Sequence, residues 1–310
     1  MRGLVRIKGL YKVKARIDRA IVSCRKRGTV FGPVLITGLG GCGKSLLAEV
    51  IAEELGYHLV TVEAAALPTR DILVDRLLSA SREATGLGKV LLFFIDECHR
   101  LSVDRQEALF YPLEQHRITT RHGIVSFPPF CLVAATTQPQ LLDQGSFVTR
   151  MERGLKLVIG RYSSFEINQI LAASFKKMDL VFGNEVLDYV SARCLGIPRN
   201  ARNITEKIRD QVIYRGGDNI ITLQDVEEVF RLEGLDSIGL NENQVGLLKI
   251  LYESKGVPRG LGLLAARLSM SDTAVEEVVE PVLLSLGYID HSPRGRIITE
   301  AGKRHIEGLV

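Results

Sequence analysis

The sequence predicts an α/β fold built on a doubly wound parallel sheet, followed by a helical segment and a winged-helix module. Two all-apolar runs of strand length, residues 90–95 and 130–135, alternate with helical patterns, as is typical of parallel strands buried on both faces. After Ser163 helical patterns replace strands. Residues 242–310 then give helix, helix, helix and β-hairpin, which is the order of a winged helix.

The N-terminal stretch is predicted to form a helix over residues 13–27 with a basic face. Val13 and Ile17 recur at helical spacing, and residues 1–28 contain ten Lys or Arg against one acid, Asp18. Because the net charge of the whole chain is only +4, contact with nucleic acid has to come from such local clusters. A transit peptide is the alternative, but the stretch holds a single serine.

Residues 38–45, Gly-Leu-Gly-Gly-Cys-Gly-Lys-Ser, lie between an apolar run and a helical pattern. Strand, glycine-rich turn and helix match the phosphate-binding P-loop at every fixed position. Glycines let backbone amides converge on phosphate oxygens, the lysine reaches the β- and γ-phosphates, and the serine hydroxyl ligates Mg²⁺. The segment therefore predicts binding of ATP and Mg²⁺ through Gly38, Gly41, Gly43, Lys44 and Ser45.

Polar residues follow both apolar runs. Asp96 and Glu97 end the first run, a Walker B pattern in which one acid holds Mg²⁺ and the next polarises the attacking water. Thr136 and Thr137 end the second run, where a hydroxyl can bond the γ-phosphate or the water, the role called sensor 1. These groups are predicted to converge at the carboxyl edge of the sheet. A solvated acidic strand end is the alternative.

Cysteine usage and hydropathy predict a cytoplasmic, nucleoid-associated protein. The five cysteines are scattered without a C-x-x-C pair, which favours reduced thiols; only Cys42, beside a helix N-terminus, is a candidate for a reactive thiol. No apolar run reaches the roughly 18 residues of a membrane span.

Further strands and helices are predicted at residues 57–62, 71–82, 164–175, 184–194, 199–214 and 223–233, with turns at 85–88 and 234–239.

The tip of the C-terminal hairpin, Ser292-Pro-Arg-Gly-Arg296, places Arg294 and Arg296 where a wing meets a phosphate backbone or a minor groove. The preceding helix carries Glu276, Glu277 and Glu280, which disfavours base reading by that helix and concentrates the predicted DNA contact on the wing. A winged helix used only for protein contact is the alternative.

Several segments resemble one family, the RuvB Holliday-junction branch-migration motors, whose members are AAA+ ATPases. The resemblance is carried by Ile95-Asp-Glu-Cys-His-Arg-Leu-Ser102, Leu109-Phe-Tyr-Pro112, Pro128-Pro-Phe130, Ala135-Thr-Thr137, Gly196-Ile-Pro-Arg199 and Pro293-Arg-Gly-Arg296. It implies an AAA+ large domain at 1–160, a small helical lid at 161–236 and a winged helix at 237–310, assembled as a hexameric ring around duplex DNA.

The resemblance also implies individual roles. Gly9 would lie beside the adenine, Thr137 would be sensor 1, and Arg199 would be the sensor 2 arginine that contacts phosphate from the lid. Arg294 and Arg296 would touch the DNA backbone.

The family's arginine finger, which enters the neighbouring subunit's site, corresponds to the segment Phe147–Arg153. Arg150 is the better aligned candidate and Arg153 the fallback. Two departures from the family concern the stretch between Tyr111 and Phe130, which is shorter where the hairpin that docks RuvA is found, and Gln138, which replaces an arginine. Recruitment by RuvA or a similar partner is therefore open.

These features predict an ATP-dependent DNA translocase that drives Holliday junction branch migration in recombination and repair, acting on double-stranded or junction DNA as a homo-oligomer. One alternative is an AAA+ origin-binding initiator or helicase loader that uses ATP as a switch. A clamp-loader-like subunit is a second alternative, disfavoured by the arginine-bearing wing tip.

Overall fold

The computed structural model describes residues 3–142 and 147–309. These residues group into two compact units, one ending at Tyr162 and the other beginning at Ser163. Among the described residues, no helix combines the length and apolarity that crossing a membrane requires.

The first unit contains six α-helices and seven strands among its described residues. The helices are α1 (Tyr11–Arg27), α2 (Lys44–Leu55), α3 (Arg70–Gly86), α4 (Val103–Ala108), α5 (Phe110–Gln115) and α6 (Phe147–Glu152). The strands are β1 (Val34–Gly38), β2 (His58–Glu63), β3 (Leu91–Asp96), β4 (Arg117–Thr120), β5 (Gly123–Ser126), β6 (Cys131–Thr136) and β7 (Leu155–Ile159).

Five of these strands form one parallel sheet in the order β2-β3-β6-β1-β7. The residues of β6 and the first five of β3 are all buried, because helices cover both faces of a doubly wound sheet. In the register, Thr37 lies opposite Thr136 and Ile95 opposite Ala134. The carboxyl ends of β1, β6 and β3 are therefore neighbours, and the predicted fold class is confirmed.

Several elements of the first unit differ from the sequence-based expectation, among them helices α4, α5 and α6, which were not predicted. Strand β7 was not predicted, although Leu157 and Ile159 alternate inward while Lys156 and Val158 are exposed, the pattern of an edge strand with one buried face. Helix α3 runs to Gly86, so the expected turn at 85–88 begins later than predicted. Strands β4 and β5 form a hairpin with a two-residue turn, so a hairpin is present in the shortened stretch.

All five cysteines are buried, and no disulfide joins them within the residues that the structure describes. Burial raises the pKa of the Cys98 and Cys131 thiols well above their ordinary value, and raises that of Cys194 to about 12. Cys42 is buried inside the P-loop, which fits a small residue filling that loop better than a reactive thiol.

The second unit is helical up to residue 232 and ends in a winged helix. Its helices are α7 (Ser164–Lys177), α8 (Asn184–Ala192), α9 (Pro198–Arg215), α10 (Leu223–Leu232), α11 (Glu242–Glu253), α12 (Leu261–Leu268), α13 (Asp272–Ala274), α14 (Glu280–Ser285) and α15 (Glu300–Glu307). A π-helical turn, Val275–Val279, joins α13 to α14. Strands β8 (Ile289–Ser292) and β9 (Gly295–Ile298) form the antiparallel wing.

Local sequence sets the starts of three helices in this unit. Ser163 with Glu166, Thr222 with Asp225 and Asn241 with Gln244 form capping boxes in which each pair bonds the other's backbone amide. Helix α15 was not predicted; Thr299 caps it through the Gly302 amide. Leu195 and Ile197, from the loop before α9, pack into the same core as the winged helix.

We expect Gly154→Ala to destabilise the first unit. A Cβ at this position would lie 1.9 Å from the Pro33 carbonyl oxygen, which accepts a hydrogen bond from Leu155, so the backbone pairing of β7 must shift. The matched control is Gly160→Ala, where a Cβ meets no heavy atom within 4 Å. Thermal unfolding should show a loss of about 1–3 kcal/mol for Gly154→Ala and about 0.5 kcal/mol or less for the control. Equal melting temperatures would contradict this packing.

Candidate functional site

The P-loop joins β1 to the first turn of α2. Gly41 and Gly43 have φ of 78° and 93°, values that a glycine adopts without strain. At Gly38 a Cβ would lie 2.5 Å from the carbonyl oxygen of Ile159, so this close approach of β1 and β7 also requires glycine. The Tyr162 hydroxyl donates a hydrogen bond of 3.1 Å to the Cys42 carbonyl and holds the loop from a position that the sequence analysis did not identify.

Lys44 is the first residue of α2 and its side chain is buried. Its Nζ donates hydrogen bonds to the carbonyl oxygens of Gly38 and Leu39, at 3.2 and 3.3 Å. The ammonium group therefore lies over the loop whose amides are predicted to bind phosphate.

The serine of the P-loop and the first Walker B acid lie side by side. Ser45 Oγ donates a hydrogen bond of 3.3 Å to Asp96 Oδ2, and the Glu97 amide donates one of 3.0 Å to Asp96 Oδ1. A hydroxyl and a carboxylate at this distance are hard oxygen ligands of the type that Mg²⁺ binds.

The Glu97 carboxylate contacts the tip of β6. Its Oε2 accepts hydrogen bonds from the Thr137 amide at 3.0 Å and the Thr137 hydroxyl at 2.8 Å, and lies 3.3 Å from His99 Nδ1. Burial raises the pKa of Glu97, but the bonds to His99 and Thr137 and the charge of Lys44 outweigh it and hold the pKa at about 2. The carboxylate is therefore ionised at neutral pH.

His99 is a member of this site that sequence reasoning did not find. Its side chain is only 5% exposed, and its Nδ1 lies 2.9 Å from Thr136 Oγ1, which in turn accepts a hydrogen bond from the Gln138 amide. The sequence signal, a histidine two residues after the Walker B pair, is weak because the contact with Thr136 depends on the backbone turn between them. The positive φ of Glu97, 47°, makes that turn.

The predicted arginine finger candidates share one partner. Arg150 Nε and Arg153 Nη1 lie 3.1 and 3.2 Å from Glu114 Oε1. The Arg150 guanidinium also stacks over the Phe110 ring and is 33% exposed, whereas Arg153 is 70% exposed. Both arginines are therefore on the surface of the first unit.

Two further predicted site residues are described by their local surroundings. Gly9 is buried in the turn before α1, with φ of 70°. Arg199 is the exposed second residue of α9 in the second unit. Their predicted contacts with adenine and phosphate stay predictions.

The two wing arginines have different environments. Arg294 is exposed at the hairpin tip, where its amide donates to Ser292 Oγ. Arg296 is only 14% exposed and bonds Glu280 at 2.6 and 3.1 Å and Glu276 at 3.0 Å. Glu280 is itself buried. The guanidinium of Arg296, which was predicted to contact DNA, is therefore already paired with two carboxylates.

A P-loop, a Walker B pair and a sensor threonine at one edge of a five-stranded parallel sheet, in a chain with a winged helix, define a P-loop ATPase of the AAA+ class. Comparison with known families then assigns the chain. A family model for the P-loop domain of the Holliday junction DNA helicase RuvB matches residues 2–153, and one for the RuvB C-terminal winged helix domain matches residues 237–307. The chain belongs to the RuvB family.

Curated relatives and solved structures agree with this assignment. The Holliday junction branch migration complex subunit RuvB of Prochlorococcus marinus (strain MIT 9303) is 33% identical over 307 residues, covering 96% of this chain and 84% of the relative. The RuvB subunit of Thermotoga maritima is 32% identical over 308 residues, covering 96% and 89%. The structure of the Thermotoga maritima RuvB Holliday junction branch migration motor matches with a TM-score of 0.84 at 30% identity, over 96% of this chain and 95% of that chain.

A more distant similarity concerns one of the alternatives. The Aeropyrum pernix ORC2 protein matches with a TM-score of 0.57 at 16% identity, over 96% of this chain and 92% of that chain. Identity this low shows a shared fold and nothing more.

The depressed pKa of Glu97 predicts an acid-dependent loss of stability. With an ordinary value of 4.5 and a folded value of about 2, the ionised carboxylate stabilises the fold above its unfolded pKa, and this contribution is lost as the pH falls through that interval. Urea unfolding should therefore show wild type losing stability relative to Glu97→Gln between about pH 5 and pH 2. Parallel pH profiles of the two proteins would contradict the hydrogen-bonded carboxylate.

Proposed function

We propose that this chain is an ATP-dependent DNA translocase that drives Holliday junction branch migration in recombination and repair. The observation that carries the proposal is the contact of Ser45 with Asp96 and of Glu97 with Thr137, in a chain of the RuvB family. The named relatives are subunits of Holliday junction branch migration complexes, and this activity is carried over to the present chain as the proposal.

ATP is the nucleotide that we assign to the P-loop. The amides of Gly41 and Gly43 would receive phosphate oxygens, and the Lys44 ammonium would exchange its carbonyl partners for the β- and γ-phosphates. Ser45 and Asp96 would hold Mg²⁺, which neutralises phosphate charge when bound. The neighbouring hydroxyl and carboxylate fit this ion.

Glu97 is assigned to the attacking water. A general base works best with a pKa near the operating pH, and a pKa of about 2 makes Glu97 a poor proton acceptor but a permanently charged group for orienting water. That role suits phosphoryl transfer, in which positioning and charge stabilisation supply most of the rate. Thr137 and His99 fix the position of the Glu97 carboxylate, so a movement of the tip of β6 would also move the group that orients the water.

We assign the remaining charge stabilisation to an arginine from a neighbouring copy, Arg150 in the first instance and Arg153 as the alternative. Both lie on the surface of the first unit beside Glu114. Arg153 is the more exposed of the two, so it too is accessible to a neighbouring copy. An arginine finger contributes roughly 10³–10⁵ in rate. The proposed assembly is a hexameric ring, with Arg199 contacting phosphate from the lid and Gly9 lying beside the adenine.

DNA contact is assigned to the wing, with different roles for its arginines. Arg294, exposed at the tip, would contact the phosphate backbone. Arg296 would fix the wing against the preceding helix through Glu276 and Glu280 rather than contact DNA. Residues 1–160, 161–236 and 237–310 are proposed as ATPase, lid and winged-helix domains of a motor acting at the nucleoid in the cytoplasm.

A docking partner of the RuvA type is proposed to bind the hairpin of β4 and β5. Ile124 and Val125 are exposed on β5, whereas Arg121 in the turn is paired with Asp71 on α3. The short strands offer a smaller surface than the family's longer stretch, so junction assays should be run with and without RuvA.

Glu97→Gln should abolish branch migration while preserving nucleotide binding. The substitution removes the charge that orients water but keeps an amide oxygen for the Thr137 bonds. With ATP, the wild-type protein should convert a synthetic four-way junction into strand-migrated products. Glu97→Gln should reduce ATP turnover by about 10²-fold or more. Healthy turnover by wild type without any strand migration, with or without RuvA, would favour the initiator alternative instead.

The wing arginines should respond differently to substitution. Arg294→Ala removes a phosphate contact, so the slope of log affinity against log salt should fall by about 1 without loss of stability. Arg296→Ala removes the guanidinium from the buried Glu280, which keeps His291 Nε2 at 3.2 Å from its Oε2, and should destabilise the second unit by about 3 kcal/mol. Salt titrations of duplex binding measure the first effect, and thermal unfolding measures the second. If Arg296→Ala lowered the salt slope without lowering stability, Arg296 would be a DNA contact after all.

A further inference from the structure

Helix α1 carries a row of cations along its exposed side. Val13, Ile17, Ile21 and Cys24 are its buried residues, and the opposite face is exposed. At 3.6 residues per turn, five cations fall within an arc of about 100° and extend for about 22 Å along the helix. This cationic row consists of Lys12, Arg16, Arg19, Lys26 and Arg27.

The charges of the cationic row are not neutralised within the described residues. None of its five members forms a side-chain hydrogen bond or ion pair with residues 3–142 or 147–309. The other two cations of α1 are used locally, since Lys14 donates to the Ile7 carbonyl and Arg25 to the Glu54 carbonyl. The single acid of the helix, Asp18, lies about 80° or more in helical angle from every member of the row.

The composition of this face favours a nucleic-acid backbone over a protein partner. The core of a protein interface is depleted in charge and enriched in aromatic anchors, whereas only Ser23 interrupts the cationic row within its arc. Duplex DNA presents one negative charge per roughly 1.7 Å of axis, on the order of a dozen charges along such a row. Because the backbone of α1 is already ordered, lining up these cations along a phosphate backbone costs little additional backbone entropy on binding.

We propose that the exposed face of α1 is a second, sequence-independent binding surface for the phosphate backbone of duplex DNA, in addition to the wing. The proposal rests on DNA being the substrate, as proposed above, but it does not depend on which wing arginine contacts that DNA.

The test is the salt dependence of duplex binding by the full chain. In the row variant, Lys12, Arg16 and Arg19 are each replaced by Gln, which removes charge and keeps helix propensity. The control variant replaces Arg82, Lys89 and Lys177 by Gln, removing the same charge from scattered exposed positions whose side chains form no ion pair within the described part of the chain. Fluorescence anisotropy at several NaCl concentrations gives the slope of log affinity against log salt.

We expect the row variant to lower the salt slope by about 2–3 and the affinity at 0.1 M salt by about 10²-fold, while the control lowers the slope by less than about 1. DNA-independent ATP turnover checks that each variant is folded. A second variant, Lys26→Gln with Arg27→Gln, should lower the slope by about 1–2 if the row acts along its length.

Three results would overturn the proposal. In the first, the row and control variants share one salt slope. In the second, the row variant keeps the wild-type salt slope but loses nucleotide-dependent self-association, which would identify a neighbouring copy as the partner of the cationic row. In both cases wild type still binds duplex with a slope that Arg294→Ala lowers, so the proposed function survives. If wild type binds no duplex at all, the proposal and the proposed function fail together.

Discussion

The site depends on one constraint, the parallel pairing of β1, β6 and β3. This pairing brings three strand ends together, and each end contributes one group: the P-loop after β1, the Walker B acids at β3 and Thr137 after β6. The bonds from Thr137 to Glu97 and from Ser45 to Asp96 cross between those ends. A shift in register would separate these groups. On the other side of β1, the close approach of Gly38 to the Ile159 carbonyl oxygen requires glycine.

Much of this arrangement could be predicted because it is written in local patterns. The P-loop spacing identifies Lys44 and Ser45, and an apolar run ending in two acids identifies Asp96 and Glu97. The general rule that parallel strands place their carboxyl ends at one edge then brings these residues together without any coordinates. The RuvB resemblance added the order of domains, and the family models match a P-loop domain first and a winged helix last.

What the sequence could not supply depends on partners distant along the chain. His99 could be assigned to the site only once the turn at Glu97 had placed it against Thr136. Arg296 looked like a wing cation until the fold paired it with the buried Glu280, a contact 16 residues away. Strand β7 was missed because only two of its five residues are buried, and the roles proposed for Arg150 and Arg153 require a contact between copies.

The central claim is that two copies complete each ATPase site, and mixing of inactive variants tests it most directly. Lys44→Ala cannot bind phosphate but keeps its arginines, whereas a chain with Arg150→Ala and Arg153→Ala keeps its P-loop but lends no finger. We predict that each is inactive alone and that an equimolar mixture recovers DNA-stimulated ATP turnover. Turnover that never exceeds the sum of the separate proteins, or a double arginine variant as active as wild type, would contradict a shared site.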